Sequence, residues 1–144
     1  WRVSAVIRWV IVDAGPLTAL LDAGDAWHPW AVARFKEIAG PLVTVEAVIA
    51  EACFLLRRNP GAQEDLLQMV ADGLLRIPFS LENEVESVRQ LRAKYRDLPM
   101  SLADACLVRL AEVLGDHHVC TLDSDFRIYR KYGRTPIPLI SPHP

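Results

Sequence analysis

Short β-branched runs alternate with longer stretches of helical period along this chain, and that alternation restricts the fold more than any other feature. Residues 5–12, AVIRWVIV, form the first run and end at Asp13, after which Gly15-Pro16 turns the chain into the apolar stretch LTALLDAG. Between 28 and 39, Trp30, Ala31, Phe35 and Ile38 recur at helical spacing, and Gly40-Pro41 predicts a stop. A short buried strand is expected over 41–44. The helix VEAVIAEACFLLRR then runs to Asn59-Pro60-Gly61, and a further helix, AQEDLLQMVADG, precedes a strand over 74–77. SLENEVESVRQLRAKYR has an amphipathic, outwardly charged helical pattern, whereas SLADACLVRLAEVLG is apolar nearly all round. HVCTLD reads as a strand, 125–131 as a short helix and 137–140 as a Pro-flanked edge strand. Five strands separated by helices favour a parallel sheet covered on both faces, so the expected fold is a three-layer α/β/α sandwich around a central five-stranded parallel sheet.

Composition fits one domain of this kind. With 144 residues, 51% of them hydrophobic and 24% charged, the chain can bury a core without disulfides, and wholesale disorder is excluded. A single domain over 1–144 is expected, with 1–9 as an extra leading segment and 141–144 as a loose tail. Sixteen basic against 18 acidic residues leave a net charge of −2, so no global positive field announces a nucleic acid or a membrane. Arg8 and Asp13 interrupt the apolar N-terminal stretch well short of the roughly 20 residues of a spanning helix, and no small-residue cleavage site follows it. Cys53, Cys106 and Cys120 are odd in number and widely spaced, which reads as three buried thiols in a reducing compartment, consistent with a cytoplasmic location.

In open parallel sheets, ligands bind beyond the carboxyl ends of the strands, where the strand order reverses. Asp13 and Asp123 both stand where strands are expected to end. Each also precedes a helix start, where Asp is a favoured N-cap. Asp104 lies in a helix that should be largely buried, where a carboxylate is costly unless it is paired, hydrogen-bonded or bound to a cation. Its alternative role is in the first turn of a helix capped by Ser101. Glu51 borders the apolar stripe of its helix just past Leu55, as Glu46 does on the other side, and a solvated border is the ordinary reading of both. Several carboxylates converging at one sheet edge without Cys or His would make a hard oxygen site suited to Mg²⁺ or Mn²⁺ and to hydrolysis of a phosphate ester.

Four stretches in order, IVDAGPLTALLD, TVEAVIAEACFLLRR, SLADACLVRLAE and CTLDSDF, resemble the PIN-domain nucleases, and among them the VapC-like ribonuclease toxins of prokaryotic toxin-antitoxin pairs. The resemblance covers about residues 10 to 140. Each motif is short; their joint order and spacing carry the specificity. The resemblance implies that Asp13, Glu51, Asp104 and Asp123 form a metal-binding catalytic quartet, with Asp125 as an accessory acidic position and Thr121 as a polar neighbour. No role passes to Glu46 or Asp22. It further implies endonucleolytic cleavage of RNA by metal-activated water with Mg²⁺ or Mn²⁺ and no covalent intermediate. The implied partners are a second copy of the chain and a cognate antitoxin that blocks the site with a cationic side chain and an amphipathic segment.

Arg57-Arg58, Arg92 with Arg96, and Arg127, Arg130, Lys131 and Arg134 are candidate phosphate contacts, with solvated helix faces as the ordinary alternative. Trp27, Trp30 and Phe35 with Leu20 and Leu21 suit either a partner groove or the core, and core packing is favoured. His117-His118 receives no ligand role, because adjacent residues point in different directions. Two other function classes compete with a nuclease. One is a PIN-like RNA- or protein-binding module without catalysis. The other is a phosphoacceptor module, disfavoured because no Lys lies between Lys94 and Lys131.

Overall fold

The structure, a computed structural model, describes the backbone of residues 7–143 and the side chains of 10–143. Ala5 and Val6 of the expected first strand, the rest of the leading segment before them and Pro144 lie outside the described residues. Among these residues a five-stranded, wholly parallel sheet forms from β1 (Ile7–Val12), β2 (Ile38–Val43), β3 (Leu75–Arg76), β4 (Val119–Cys120) and β7 (Leu139–Ile140), in the order β3-β2-β1-β4-β7. A two-stranded antiparallel hairpin, β5 (Arg130–Lys131) with β6 (Thr135–Pro136), stands apart from it.

The helices are α1 (Ala14–Leu21), α2 (His28–Lys36), α3 (Glu46–Leu55), α4 (Pro60–Ala71), α5 (Leu81–Lys94) and α6 (Leu102–Leu114). β1 to β2 to β3 steps one way across the sheet through α1–α4; the chain then returns through α5 and α6 to β4 on the other side of β1. Right-handed crossovers running in opposite directions lay their helices on opposite faces, which gives the three layers. The core follows from this: Val10, Ile11 and Val12 of the central strand are fully buried, as are Ala105, Leu107, Val108, Leu110 and Ala111 of α6.

Local chemistry sets the helix ends. Asn59 caps α4 by accepting from Ala62 N, with Pro60 at the first helical position, where its missing N–H costs nothing. Ser80 caps α5, and Ser101 Oγ accepts from Asp104 N at 3.0 Å to cap α6. Gly115 ends α6 at φ +84, a conformation that a side chain would strain.

Two segments depart from the sequence expectation. The helix expected over 28–39 stops at Lys36, and β2 begins at Ile38, so Gly40-Pro41 lies inside a strand instead of ending a helix. The register slips between the Arg8↔Ala39 and Val10↔Leu42 pairs, and β3 pairs only with Leu42 and Val43. A bulge with Gly40 at φ +93 and a Pro without a donor fit there because no outer strand needs that N–H. The helix expected over 125–131 is a 3-10 turn, Ser124–Arg127, followed by the hairpin. Tyr132 and Gly133 both take positive φ, as a primed hairpin turn requires. Glu112 on α6 holds this turn, its Oε2 accepting from Tyr132 N at 2.6 Å and its carbonyl from the Tyr132 hydroxyl. At the other end, Ser141–His143 are half-buried, and the His143 ring stands edge-on to Trp27 at 5.7 Å.

The cysteines form no disulfide; Cys106 and Cys120 are buried, while Cys53 is half-buried. Among the described residues no helix is long and apolar enough to cross a membrane. The Ser101 cap bears the entry to the most buried helix, so Ser101→Ala should cost about 1 kcal/mol, seen by calorimetry as a fall of several degrees in melting temperature.

Candidate active site

The strand order reverses between β1 and β4, so the crevice at their carboxyl ends is the switch point of the sheet. Asp13 follows β1 directly and caps α1, its Oδ1 accepting from Ala14 N at 2.7 Å. Its Oδ2 accepts from the Thr121 hydroxyl at 2.8 Å. That hydroxyl in turn accepts from Asp123 N at 2.9 Å, and Asp123 Oδ1 accepts from Asp125 N at 2.9 Å, capping the 3-10 turn. The buried Thr121 therefore ties together the two loops that carry Asp13 and Asp123.

α3 and α6 supply the other two carboxylates. Asp104, only 8% exposed, sits in the first turn of α6, and its Oδ2 accepts from the Tyr129 hydroxyl at 3.0 Å. Glu51 is exposed on α3, one turn before Leu55. Asp13, Glu51, Asp104 and Asp123 line one open cleft of about 260 Å³, bordered by Leu55 and Leu122. Gly15 permits this closeness: a Cβ there would stand 3.2 Å from the Leu122 side chain. The N-cap roles of Asp13 and Asp123, and the Ser101-capped turn of Asp104, thus coexist with convergence on the cleft.

The electrostatics bear the mark of that convergence, since every pair among the four carboxylates repels. Burial, with the charges of Glu51 and Asp123, pushes Asp13 up from 3.8 to about 6 against the hydrogen bonds from Thr121 and Ala14. Burial and then the Asp13 charge push Asp104 to about 6 as well, opposed by the Tyr129 hydroxyl. Glu51 is raised by burial and by the Asp104 and Asp123 charges. Burial and the Asp104 carboxylate raise the Tyr129 phenol, so it stays protonated and donates. Sequence reasoning missed Tyr129, which stands in a basic stretch; the available signal was its i, i+3 spacing from Phe126, since a phenol buried with that ring needs a polar partner.

Other sequence candidates fall elsewhere. Asp125 adjoins Asp123 through the capping bond but does not line the cleft. Lys131 is not a phosphate contact: it is 5% exposed, and its ammonium donates to Gly115 O at 3.0 Å, at the C-terminus of α6. Arg130 folds back onto the carbonyls of Arg127, Ile128 and Tyr129. Arg57 stacks on Phe54 at 4.3 Å, and Arg58 is exposed. Trp30, Phe35 and Leu21 pack against the core, whereas Trp27 is exposed. His117 and His118 are half-buried and outside the cleft lining, and burial pushes the Cys120 thiol up to about 12.

Among the described residues, no three Asp, Glu, His or Cys side chains are gathered so that they could hold a metal ion as they stand. The donor set nevertheless fits Mg²⁺ or Mn²⁺. It is all oxygen, it surrounds an open cleft, and two of its carboxylates carry charge that burial and repulsion oppose. Mg²⁺ retains several waters and needs only one or two carboxylates directly, so a complete protein cage is not required.

These shifts have a consequence for stability. Folded Asp13 and Asp104 hold protons up to about pH 6 that the unfolded chain releases near 3.8, so their penalty is absent below about pH 4 and grows as pH rises through 6. In chelator-treated protein, Asp104→Asn should therefore melt above wild type at pH 7.5, by about 1–2 kcal/mol after solvent screening, and gain nothing below pH 4. Thermal unfolding at the two pH values checks both arms.

The PIN domain family model matches residues 10–132. Ribonuclease VapC26 of Mycobacterium tuberculosis is 28% identical over 116 residues, spanning 79% of this chain and 86% of that relative. The crystal structure of Mycobacterium tuberculosis VapC20, described as a sarcin-ricin loop cleaving toxin, superposes with a TM-score of 0.73 at 21% identity, covering 81% of this chain and 91% of that one. With the sheet order, the switch-point cleft and a family match over most of its length, the chain belongs to the PIN domain family.

Proposed function

We propose that this chain is a Mg²⁺- or Mn²⁺-dependent endoribonuclease, the toxin half of a toxin-antitoxin pair, built as one domain and working in the cytoplasm. The observation that carries the reading is the convergence of Asp13, Glu51, Asp104 and Asp123 on one open cleft of a PIN-family sheet. Kinship with a protein named Ribonuclease VapC26 supports RNA as the substrate.

Asp13, Glu51, Asp104 and Asp123 would hold the ion or ions, with Asp125 supporting Asp123. A bound divalent ion neutralises charge on the phosphodiester and lowers the pKa of the attacking water. The chain's own part is to position. Thr121 fixes Asp13, and the Ser101 turn and Tyr129 fix Asp104. Among the described residues no hydroxyl, thiol or imidazole lines the cleft, and water activated beside the ion would be the nucleophile, as the family resemblance implies. Four carboxylates would repel an RNA phosphate on their own, which makes the cation a condition for binding as well as for cleavage.

With Lys131 buried and Arg130 turned onto three carbonyls, Arg92 and Arg96 are the better phosphate contacts, although Arg92 Nε donates to Met100 O at 3.4 Å. Both are exposed and line a depression of about 580 Å³ with Met100 and Ser101. Ser101 also caps the turn that carries Asp104, so this depression and the acidic cleft share the start of α6. The exposed Phe54 and Leu55 at the end of α3, beside Glu51, offer apolar surface for an antitoxin segment whose cation meets the carboxylates, and a homodimer is the expected assembly.

The competing reading is a PIN-fold module that binds RNA or protein without cutting, favoured by the lack of a closed acidic cage among the described residues. Calorimetry with Mn²⁺ separates the two. Wild type should bind saturably, while Asp104→Asn should fold, lose that binding and cleave RNA on the order of 100-fold more slowly or worse. An active Asp104→Asn would overturn the site assignment, and a folded wild type that binds no Mn²⁺ would favour the binding module. Replacing Arg92 and Arg96 by Gln should weaken RNA binding and flatten its dependence on log salt by about 0.7 per lost contact.

A further inference from the structure

We propose that Tyr129 is a positioning residue for the acidic cleft: its phenol holds the Asp104 carboxylate in the orientation that meets a divalent cation. The proposal rests on the metal-centre reading above and extends it to a residue outside the carboxylate set.

Tyr129 is fully buried, and its hydroxyl donates to Asp104 Oδ2 at 3.0 Å. The ring is locked on two sides, edge-on to Tyr95 at 5.1 Å and 68° and edge-on to Phe126 at 5.1 Å and 82°. Its backbone belongs to the turn after β4: Tyr129 N donates to Asp125 O at 3.3 Å, and Phe126 N to Asp123 O at 3.4 Å. The phenol therefore joins the Asp123 loop to α6, two elements that supply separate carboxylates.

Packing alone would be served by Phe, which spares the cost of burying a hydroxyl. Tyr95 in the same cluster illustrates the other use of a hydroxyl, since its oxygen accepts from Arg130 N and serves the main chain. What the Tyr129 hydroxyl adds is a fixed donor on one carboxylate oxygen, which stops rotation about the last bond of the Asp104 side chain. A neutral donor leaves the negative charge intact for a cation, whereas Lys or Arg in its place would cancel it. Thr121 does the same for Asp13, so each of the two most buried carboxylates is oriented by an uncharged hydroxyl. Partners that orient metal ligands typically change metal affinity by 10–100-fold when removed.

The test is Mn²⁺ calorimetry at one pH on wild type, Tyr129→Phe, Tyr95→Phe and Leu66→Ala, with melting temperatures taken in parallel. Tyr129→Phe should stay folded and bind Mn²⁺ about tenfold more weakly or worse. Tyr95→Phe, which keeps its ring against Tyr129, and Leu66→Ala, a core truncation on α4, disturb the fold without touching the carboxylate or its phenol, and should keep wild-type affinity even where they melt lower. Equal affinity in Tyr129→Phe and wild type would overturn the proposal while leaving the metal centre standing. A loss of affinity that follows melting temperature across all three variants would also overturn it, as plain destabilisation. Absence of saturable binding in wild type would remove the metal centre and this role with it.

Discussion

Four carboxylates that repel one another in every pairing must be held together by something stronger, and the rest of the structure answers to that constraint. The core supplies the force. α6 is buried from Ala103 to Ala111 except at Arg109, packed against β1, α3 and α5, and it cannot pull out of that packing without exposing Leu107, Val108 and Leu110. Asp104 rides on that helix and Asp13 on the end of the central strand, so hydrophobic burial is what presses the two charges toward each other. Uncharged hydroxyls then orient them without cancelling them.

Helix capping and ligand binding are served by the same residues here because both use the same geometry. A carboxylate at a strand end can satisfy a main-chain N–H of the next helix with one oxygen and still line the crevice. Asp13 caps α1 and Asp123 caps the 3-10 turn, yet both border the cleft. The caps are local, need only a few residues and remain after the charges converge, so they stabilise the loops at the point where repulsion strains them.

The segment after Asp123 shows tertiary contacts overriding sequence pattern. Arg127 to Arg134 carries four basic residues in eight and follows an acidic strand end, which in sequence suggests a phosphate-binding edge. Instead the hairpin folds back onto α6, where Glu112 grips the Tyr132 turn and Lys131 satisfies the carbonyl of Gly115. The last carbonyls of a helix lack intrahelical partners and take cationic or N–H donors, and Lys131 supplies one here. Arg92 and Arg96 are exposed and line a depression that reaches Ser101 at the start of α6.

The sequence by itself determined the alternation of strands and helices, the parallel sheet and the cap at Ser101, because hydrophobic period and capping chemistry are local and written in neighbouring residues; the acidic quartet was named only through the resemblance to a family. It also suggested the shared edge for Asp13 and Asp123, since strand ends in a parallel sheet point the same way. It misjudged 28–44, where a bulge opposite a short edge strand accommodates Gly40-Pro41, and that tolerance depends on which strand lies alongside. Only the tertiary structure decided that Glu51 and Asp104 from separate crossovers meet at that edge. It alone put Tyr129 on Asp104, 25 residues away, and it alone buried Lys131. Those outcomes turn on long-range packing and on the satisfaction of buried polar groups, which no local period encodes.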